Sequence, residues 1–295
     1  MKNISLFSGY DKQISLALGF FDCMHLGHRK ILDDVKQSAS EIGCETALLT
    51  FENNYFETLG KNEKLIYTFD ERKDLLETLS LDTLISCVFD KDFMSLTSDK
   101  FLLLLDKFDI RAIVCGFDYR FGSDKADIYK LENYCLQKRI QYRVQPPVTH
   151  DGVKISATEI RKALNANRID LANFYLGDKF FIQGEVVRGR SVGHTYGFPT
   201  ANIKVSDDKL LPQGVYAAET HLDGVKYTVL VNIGSKPTFG IDKPTVEAYI
   251  ISYNGDLYGK KIKISLVKYI RPIQKFSDKT ELAKQIQKDL SEATL

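Results

Sequence analysis

The sequence predicts an α/β protein in two parts: a parallel sheet covered by helices, then an antiparallel sheet or small barrel with a closing helix. Three observations carry this expectation. From residue 13 to about 145, short apolar runs alternate with longer amphipathic stretches, the pattern of βαβ units. Beyond Lys179 the chain becomes a series of short runs rich in Val, Ile, Tyr and Thr. Asp223-Gly224 and Asn254-Gly255 separate some of these runs, and both dipeptides supply the positive φ that tight hairpins require.

In the first part the expected strands are Ile14–Leu18, Thr46–Thr50, Thr83–Phe89 and Arg111–Cys115, with helices over Arg29–Ile42, Asp70–Leu79 and Asp99–Phe108. Proline is absent until Pro146-Pro147, which together with Asp151-Gly152 interrupts the alternation. Short helical patterns follow over Ala157–Leu164 and Asp170–Leu176, with Gly177 as the stop of the second. The change of pattern between Gly177 and Phe180 divides the chain into domains 1–178 and 179–295. In the second domain strands are expected at Phe180–Val187, Gly214–Thr220, Lys226–Ile233, Val246–Ser252 and Lys261–Val267, and the closing helix at Ser277–Ala293.

A chain of 295 residues, 44% hydrophobic and 27% charged, has the composition of a folded globular protein. Its 40 basic and 39 acidic residues leave a net charge of +1, so no global field favours nucleic acid or an anionic membrane surface. The N-terminus lacks the continuous apolar segment of a signal peptide, and the apolar cluster at Phe101–Leu105 is too short to span a bilayer. The expectation is a cytoplasmic protein, with no nucleic acid, no membrane and no identifiable protein partner. Cys23, Cys44, Cys87, Cys115 and Cys135 are odd in number and never form a CxxC pair, which fits reduced thiols better than disulfides or a zinc site.

The strand Ile14–Leu18 runs into Gly19-Phe20-Phe21-Asp22-Cys23-Met24-His25-Leu26-Gly27-His28, after which a helix is expected. Glycine lets the backbone approach a phosphate, and a helix N-terminus offers unpaired N–H groups with partial positive charge. His25 and His28 are spaced to face one phosphate, although two surface histidines or a single satisfied cap explain the spacing equally well. Downstream, Ser156 and Glu159 have the spacing of a capping box, which needs no ligand, while Arg161 stands one turn inside the same helix, where a guanidinium can pair with phosphate oxygens.

The stretch GFFDCMHLGH resembles the GxFDGxHxGH signature of nucleotidylyltransferases, and in particular the adenylyltransferase half of bacterial bifunctional riboflavin kinase/FAD synthetases. ISATEIR at 155–161 resembles the ISSTxIR of the same family, and GFDYRFG at 116–122 resembles its GxDFRFG. The resemblance implies a Rossmann-like N-terminal domain in which Gly19, Phe21, Asp22, His25, His28, Asp118, Ser156, Thr158 and Arg161 bind ATP. His25 and His28 would be catalytic, and Asn53 and Arg120 would lie against the flavin. The chain departs from the family at Cys23, usually Gly, at Ala157, and at Asn53-Asn54, where a TFxPHP-like element has lost its Pro and His. Asp124-Lys125-Ala126-Asp127 also lacks the Arg and Gly usual after the RFG segment at 120–122.

In the second half, Gly184, Gly189 and Gly193 precede Gly197-Phe198-Pro199-Thr200-Ala201-Asn202, which resembles the GFPTAN word of riboflavin kinases behind its glycine-rich loop. NIGSKPTF at 232–239 and VEAYI at 246–250 resemble the NIGxxPTF and VExHIL of that family. Alternation puts Glu247 on one face with Tyr249, where an ordinary solvent-facing carboxylate is the alternative to a functional one. The resemblance implies an antiparallel β-barrel kinase domain with a closing helix. In it Gly184, Gly189, Gly193, Gly197, Pro199 and Thr200 would bind ATP and Thr200 and Asn202 would hold Mg²⁺. Glu247 would be the base, and Phe198, Glu247, Arg271 and Phe276 would contact the flavin. The implied function is phosphorylation of riboflavin to FMN and adenylylation of FMN to FAD, with ATP as co-substrate. A riboflavin kinase whose adenylyltransferase half has degenerated, and a flavin-sensing regulator without turnover, are the alternatives.

Overall fold

A computed structural model describes residues 1–188, 199–236, 241–276 and 279–293. By its internal contacts the chain divides into two compact units, Met1–Ala157 and Thr158–Leu295.

The first unit runs β1 (Lys2–Ser5), β2 (Tyr10–Leu18), α1 (Leu26–Ile42), β3 (Glu45–Phe51), α2 (Tyr55–Thr58), α3 (Phe69–Thr78), β4 (Thr83–Cys87), α4 (Lys91–Ser95), α5 (Ser98–Leu105), β5 (Phe108–Gly116), α6 (Ile128–Lys138) and β6 (Gln141–Gln145), then the hairpin of β7 (Thr149–His150) and β8 (Val153–Lys154). The sheet order is β1-β4-β3-β2-β5-β6, and every pairing in it is parallel. Ile14 to Leu18 of β2 are buried without a break, as expected of a central strand covered on both faces. Helix α1 lays Ile31, Leu32, Val35 and Ala39 inward at helical spacing. From β2 the chain winds first toward β3 and β4, then crosses to β5 and β6 on the other side. This reversal opens a crevice beyond the carboxyl ends of β2 and β5, the place where open α/β sheets bind ligands.

Several bounds differ from expectation for local reasons. Helix α1 begins at Leu26 rather than Arg29, because His25 serves as its N-cap. Helix α5 stops at Leu105, and Phe108 opens β5 instead of ending the helix. Asp106 at that turn accepts from Tyr134 Oη at 2.9 Å and pairs with Lys138 Nζ at 2.7 Å. Helix α6 and the edge strands β1 and β6 were not anticipated. The edge strands are polar and partly exposed, so neither carries an apolar alternation.

Next come α7 (Ala157–Asn165), which starts at the last residue of the first unit, and α8 (Ile169–Leu176). They are followed by β9 (Phe181–Val187), β10 (Ala201–Lys204), β11 (Gly214–Leu222), β12 (Val225–Lys236), β13 (Ile241–Ile250), β14 (Lys261–Arg271) and α9 (Lys279–Ala293). The strands close a barrel in the order β10-β13-β12-β11-β14-β9, with antiparallel pairing throughout. Val229, Val231, Ile233, Val246, Ala248 and Ile264 form much of its buried face. The sequence grouped α7 and α8 with the parallel sheet, whereas the compact division groups nearly all of both with the barrel. Tyr216 Oη donates to Asn167 Oδ1 at 2.7 Å. Asn173 donates to Leu266 O at 3.0 Å and accepts from Phe180 N–H at 2.7 Å. Helix α9 is fastened by Arg271, whose Nη2 lies 2.7 Å from Oδ2 of the buried Asp289.

Candidate functional site

In the first unit the candidate site is the turn between β2 and α1, at the crevice. Asp22 is buried and anchors this turn: its Oδ1 accepts from Ile66 N–H at 3.1 Å, and its backbone oxygen accepts from Tyr67 N–H at 3.2 Å. The carbonyl of Phe20 accepts from Thr50 Oγ1 at 2.5 Å and from Arg72 Nη1 at 3.3 Å. Arg72 is fully buried, and Nη2 donates to Phe51 O at 2.6 Å, so one guanidinium ties the turn to the end of β3.

On this base the two histidines stack, with ring centroids 3.6 Å apart and an interplanar angle of 16°. His25 Nδ1 accepts from the backbone N–H of His28 at 3.1 Å, which places the remaining proton of a neutral His25 on Nε2. The Nδ1–H of His28 donates to Cys23 O, leaving Nε2 as its free nitrogen. Burial, with repulsion from His28 and Lys154, lowers the His25 pKa to about 2. Burial likewise lowers His28 to about 4, against the opposing effects of its bond to Cys23 and of Asp118. Both rings are therefore neutral at pH 7, presenting one fixed N–H and one fixed lone pair at the start of a helix. Gly27 makes the arrangement possible: a Cβ there would stand 3.0 Å from His25 Cε1. Phe21, with φ of 52°, closes the side of the pair, its ring edge-to-face with His28 at 4.9 Å.

Asp118 follows the end of β5, exposed, in an ion pair with Lys154 Nζ. Ser156 lies just beyond Lys154, partly buried. Thr158 and Arg161 belong to α7 in the second unit, where Glu159 pairs with Lys162 at 2.7 Å. Asn53 is committed elsewhere: its amide donates to Phe89 O at 3.1 Å and accepts from Phe89 N–H at 2.8 Å, clamping the exit of β4. Asn54 caps α2 through a bond from Phe56 N–H at 3.2 Å. Cys23 is fully buried, so its side chain does not protrude into the crevice. Arg120 is exposed and donates to Tyr119 O at 3.4 Å. Phe20, Phe51, Tyr55, Phe89 and Phe93 form a continuous aromatic cluster along the ends of β2, β3 and β4. The sequence reading had not assembled this cluster, since its members are spread over five segments.

In the second unit the barrel brings together residues far apart in the chain. Asn202 of β10 stands opposite Glu247 of β13, and Glu247 stands opposite Asn232 of β12. Side chains directly opposite one another project to the same face. The flanking Val246, Ala248, Val231 and Ile233 are buried, while Asn202, Glu247 and Asn232 are partly open. A row of two amides and a carboxylate therefore crosses three strands, with Thr200 immediately before β10. Gly184 lies within β9, where a Cβ would stand 2.2 Å from Lys204 O of β10. Arg271 is held by Asp289, with Cζ 5.6 Å from the centroid of the Phe276 ring. Gly189, Gly193, Gly197 and Phe198 lie outside the described residues, as do the residues 237–239; Pro199 is exposed. Lys154 and Asn232 were not among the expected site residues. Their signals were a basic residue directly before the ISATEIR motif and the register that sets Asn232 beside Glu247.

A family model described as FAD synthetase matches residues 8–159, and one described as riboflavin kinase matches residues 176–295. The bifunctional riboflavin kinase/FMN adenylyltransferase of Bacillus subtilis is 34% identical, covering 94% of this chain and 90% of the relative. Its namesake from Buchnera aphidicola of Acyrthosiphon pisum is 36% identical over 93% of this chain and 90% of the relative. That of Escherichia coli K12 is 31% identical over 93% and 90%. A solved structure from Streptococcus pneumoniae described as a macrolide-efflux protein superposes with a TM-score of 0.90 at 28% identity, covering 100% of this chain and 99% of that one. Among the described residues no helix is long and apolar enough to cross a membrane.

Proposed function

The chain belongs to the bifunctional riboflavin kinase/FMN adenylyltransferase family, and from that premise we propose which of its residues carry each of the two ATP-dependent steps. The observation that supports the assignment is that each compact unit holds its own phosphate-handling constellation. One is the stacked histidines at the crevice of the parallel sheet; the other is the Asn202–Glu247–Asn232 row on the barrel.

In the kinase step Glu247 takes the proton of the ribityl 5′-hydroxyl as that oxygen attacks the γ-phosphorus of ATP, and ADP leaves. Asn202 and Asn232, one on each side of Glu247, orient the carboxylate and the hydroxyl. The donor set suits Mg²⁺: Thr200 hydroxyl and Asn202 amide oxygen are hard, neutral ligands that leave most coordination to phosphate. The ion would neutralise charge on the phosphates. Pro199, with the glycines 184, 189, 193 and 197, is assigned to the ATP loop, and Phe198, Arg271 and Phe276 to the flavin, by resemblance. The fastening of Arg271 to Asp289 makes it a support of the flavin wall formed with Phe276.

In the transferase step an FMN phosphate oxygen attacks the α-phosphorus of ATP, and the bond to the bridging oxygen breaks with its electron pair leaving on pyrophosphate. No covalent enzyme intermediate is required, so the work is positioning and charge neutralisation. His25 Nε2–H donates to a phosphate oxygen. His28 binds through Nε2 once it takes up a proton in the phosphate field, and the first-turn N–H groups of α1 complete the cradle. Gly19, Phe21 and Asp22 shape the turn, and Asp118 and Ser156 line the approach. The roles of Thr158 and Arg161 in holding pyrophosphate rest on their motif alone, and those of Asn53 and Arg120 at the flavin on theirs. Cys23 is buried and Asn53 clamps the backbone of Phe89, so these two departures from the family pattern are accommodated in the first unit. A cytoplasmic location is part of this reading, supported by the requirement for ATP and by five free thiols.

Glu247→Gln tests the division of labour. It should abolish FMN formation from riboflavin and leave FAD formation from supplied FMN unchanged, whereas equal loss of both would contradict separate sites.

A further inference from the structure

Among the described residues the largest fully buried side chain is that of a cation, Arg72. It belongs to the first turn of α3, whose start is fixed by a capping box between Thr68 and Glu71. The chain entering this helix is itself bonded to the histidine turn, since the N–H groups of Ile66 and Tyr67 both donate to Asp22. From there the guanidinium reaches two segments at once. Nη1 donates to Phe20 O at 3.3 Å and to Thr50 Oγ1 at 2.5 Å, and Nη2 donates to Phe51 O at 2.6 Å. Thr50 Oγ1 in turn donates to Phe20 O, which closes a small network. Cζ of Arg72 also stands 5.1 Å from the centroid of the Phe20 ring and 5.6 Å from that of Phe69.

Such a residue is costly to keep for stability alone. Its Nε is buried without a hydrogen-bond partner, and its acceptors are neutral oxygens rather than a carboxylate. Burial lowers its pKa to about 10, against the opposing charge of Asp22, so it stays a cation at pH 7. What a planar fork supplies here is fixed geometry, because its two terminal nitrogens set the carbonyls of Phe20 and Phe51 against each other. Phe20 lies in the turn that leads to His25 and His28. Phe51 ends β3, and the rings of Phe20 and Phe51 form a partly open aromatic surface with Tyr55, Phe89 and Phe93. A planar conjugated ring system stacks on such a surface. Resting on the reading of the first unit as the adenylyl-transfer site, we propose that Arg72 is a positioning residue for that step: it fixes the histidine turn, which receives ATP, against the aromatic surface, which receives the ring system of FMN. Being fully buried, it acts through these two segments and not on substrate. The FMN phosphate must meet the α-phosphorus in line, and a misplacement of about 1 Å costs such a reaction about a hundredfold.

The test uses the full chain and the variants Arg72→Lys and Thr50→Val, assayed for FAD formation from FMN over a range of ATP and FMN concentrations. The kcat is referred to folded first units, counted from the intensities of the His25 and His28 ring resonances in histidine-labelled protein. A lysine keeps the charge but not the fork, so Arg72→Lys should lower this kcat about tenfold or more while both KM values change less than about twofold. Thr50→Val removes the hydroxyl shared by Arg72 and Phe20 and should lower kcat by a smaller factor, again with the KM values kept. Combined, the two losses should be less than multiplicative, because they break one network. A residue needed only to keep the first unit folded would leave kcat per folded unit unchanged. That result, or a loss confined to either KM, would overturn the proposal; where Arg72→Lys gives no folded signal, Thr50→Val decides alone. A wild type that makes no FAD would bring down the reading of the first unit and this proposal with it, whereas wild-type FAD formation with indifferent variants would remove this proposal alone.

Discussion

Backbone hydrogen bonds settle which nitrogen of His25 and of His28 carries a proton, and the burial of both rings has consequences for pH. Their pKa values in the folded chain, about 2 and about 4, lie below the ordinary 6.5. Between pH 6.5 and 4 the unfolded chain therefore binds more protons, so stability from these groups is fully present above about 6.5 and is lost as pH falls through that window. His28→Asn keeps a side-chain donor for Cys23 O but cannot titrate. Urea unfolding measured from pH 7 to pH 4 should show a smaller decline in this variant than in the wild type, and parallel curves would contradict the assignment. Gly27→Ala should push the His25 ring from its place and lower FAD formation at least tenfold while sparing FMN formation, the size expected for loss of a positioned phosphate donor. The HxxH spacing was legible in the sequence; the tautomers were not, because they depend on Cys23 O and on the cap geometry.

At the scale of elements, close approaches decide what can vary. Replacing Gly184 by Ala would put a methyl 2.2 Å from Lys204 O and force β9 away from β10, the strand that carries Asn202. An overpacking cost of about 1–3 kcal/mol is expected from denaturant unfolding, with a larger loss of kinase than of transferase activity. Asp289→Asn should destabilise the barrel by about 3–5 kcal/mol, since it leaves the partly buried Arg271 uncompensated. An unchanged denaturation midpoint would show that α9 is held by other contacts. Central strands such as Ile14–Leu18 were readable because burial on both faces makes an unbroken apolar run. Edge strands β1 and β6 were not, because polar exposed strands lack that run. Helix α6 was missed because its inward residues Leu131, Tyr134 and Cys135 are few among polar neighbours.

Across the whole molecule, the alternation over residues 13–145 pointed to a parallel sheet and the texture beyond Lys179 to an antiparallel sheet or small barrel; a parallel sheet and a closed barrel are present. What texture could not convey is that the chain around α8 bonds to the barrel, since those bonds join Asn167 to Tyr216 and Asn173 to Leu266, pairs remote in sequence. Nor could it convey the row of Asn202, Glu247 and Asn232, which exists only through barrel register. Two units with separate constellations imply two activities that can be lost one at a time. The most direct measurement is a chromatographic assay of the purified chain with ATP and Mg²⁺, supplied once with riboflavin and once with FMN. FAD should accumulate in both, by way of FMN in the first; FMN accumulating from riboflavin while supplied FMN stays untouched would contradict the account.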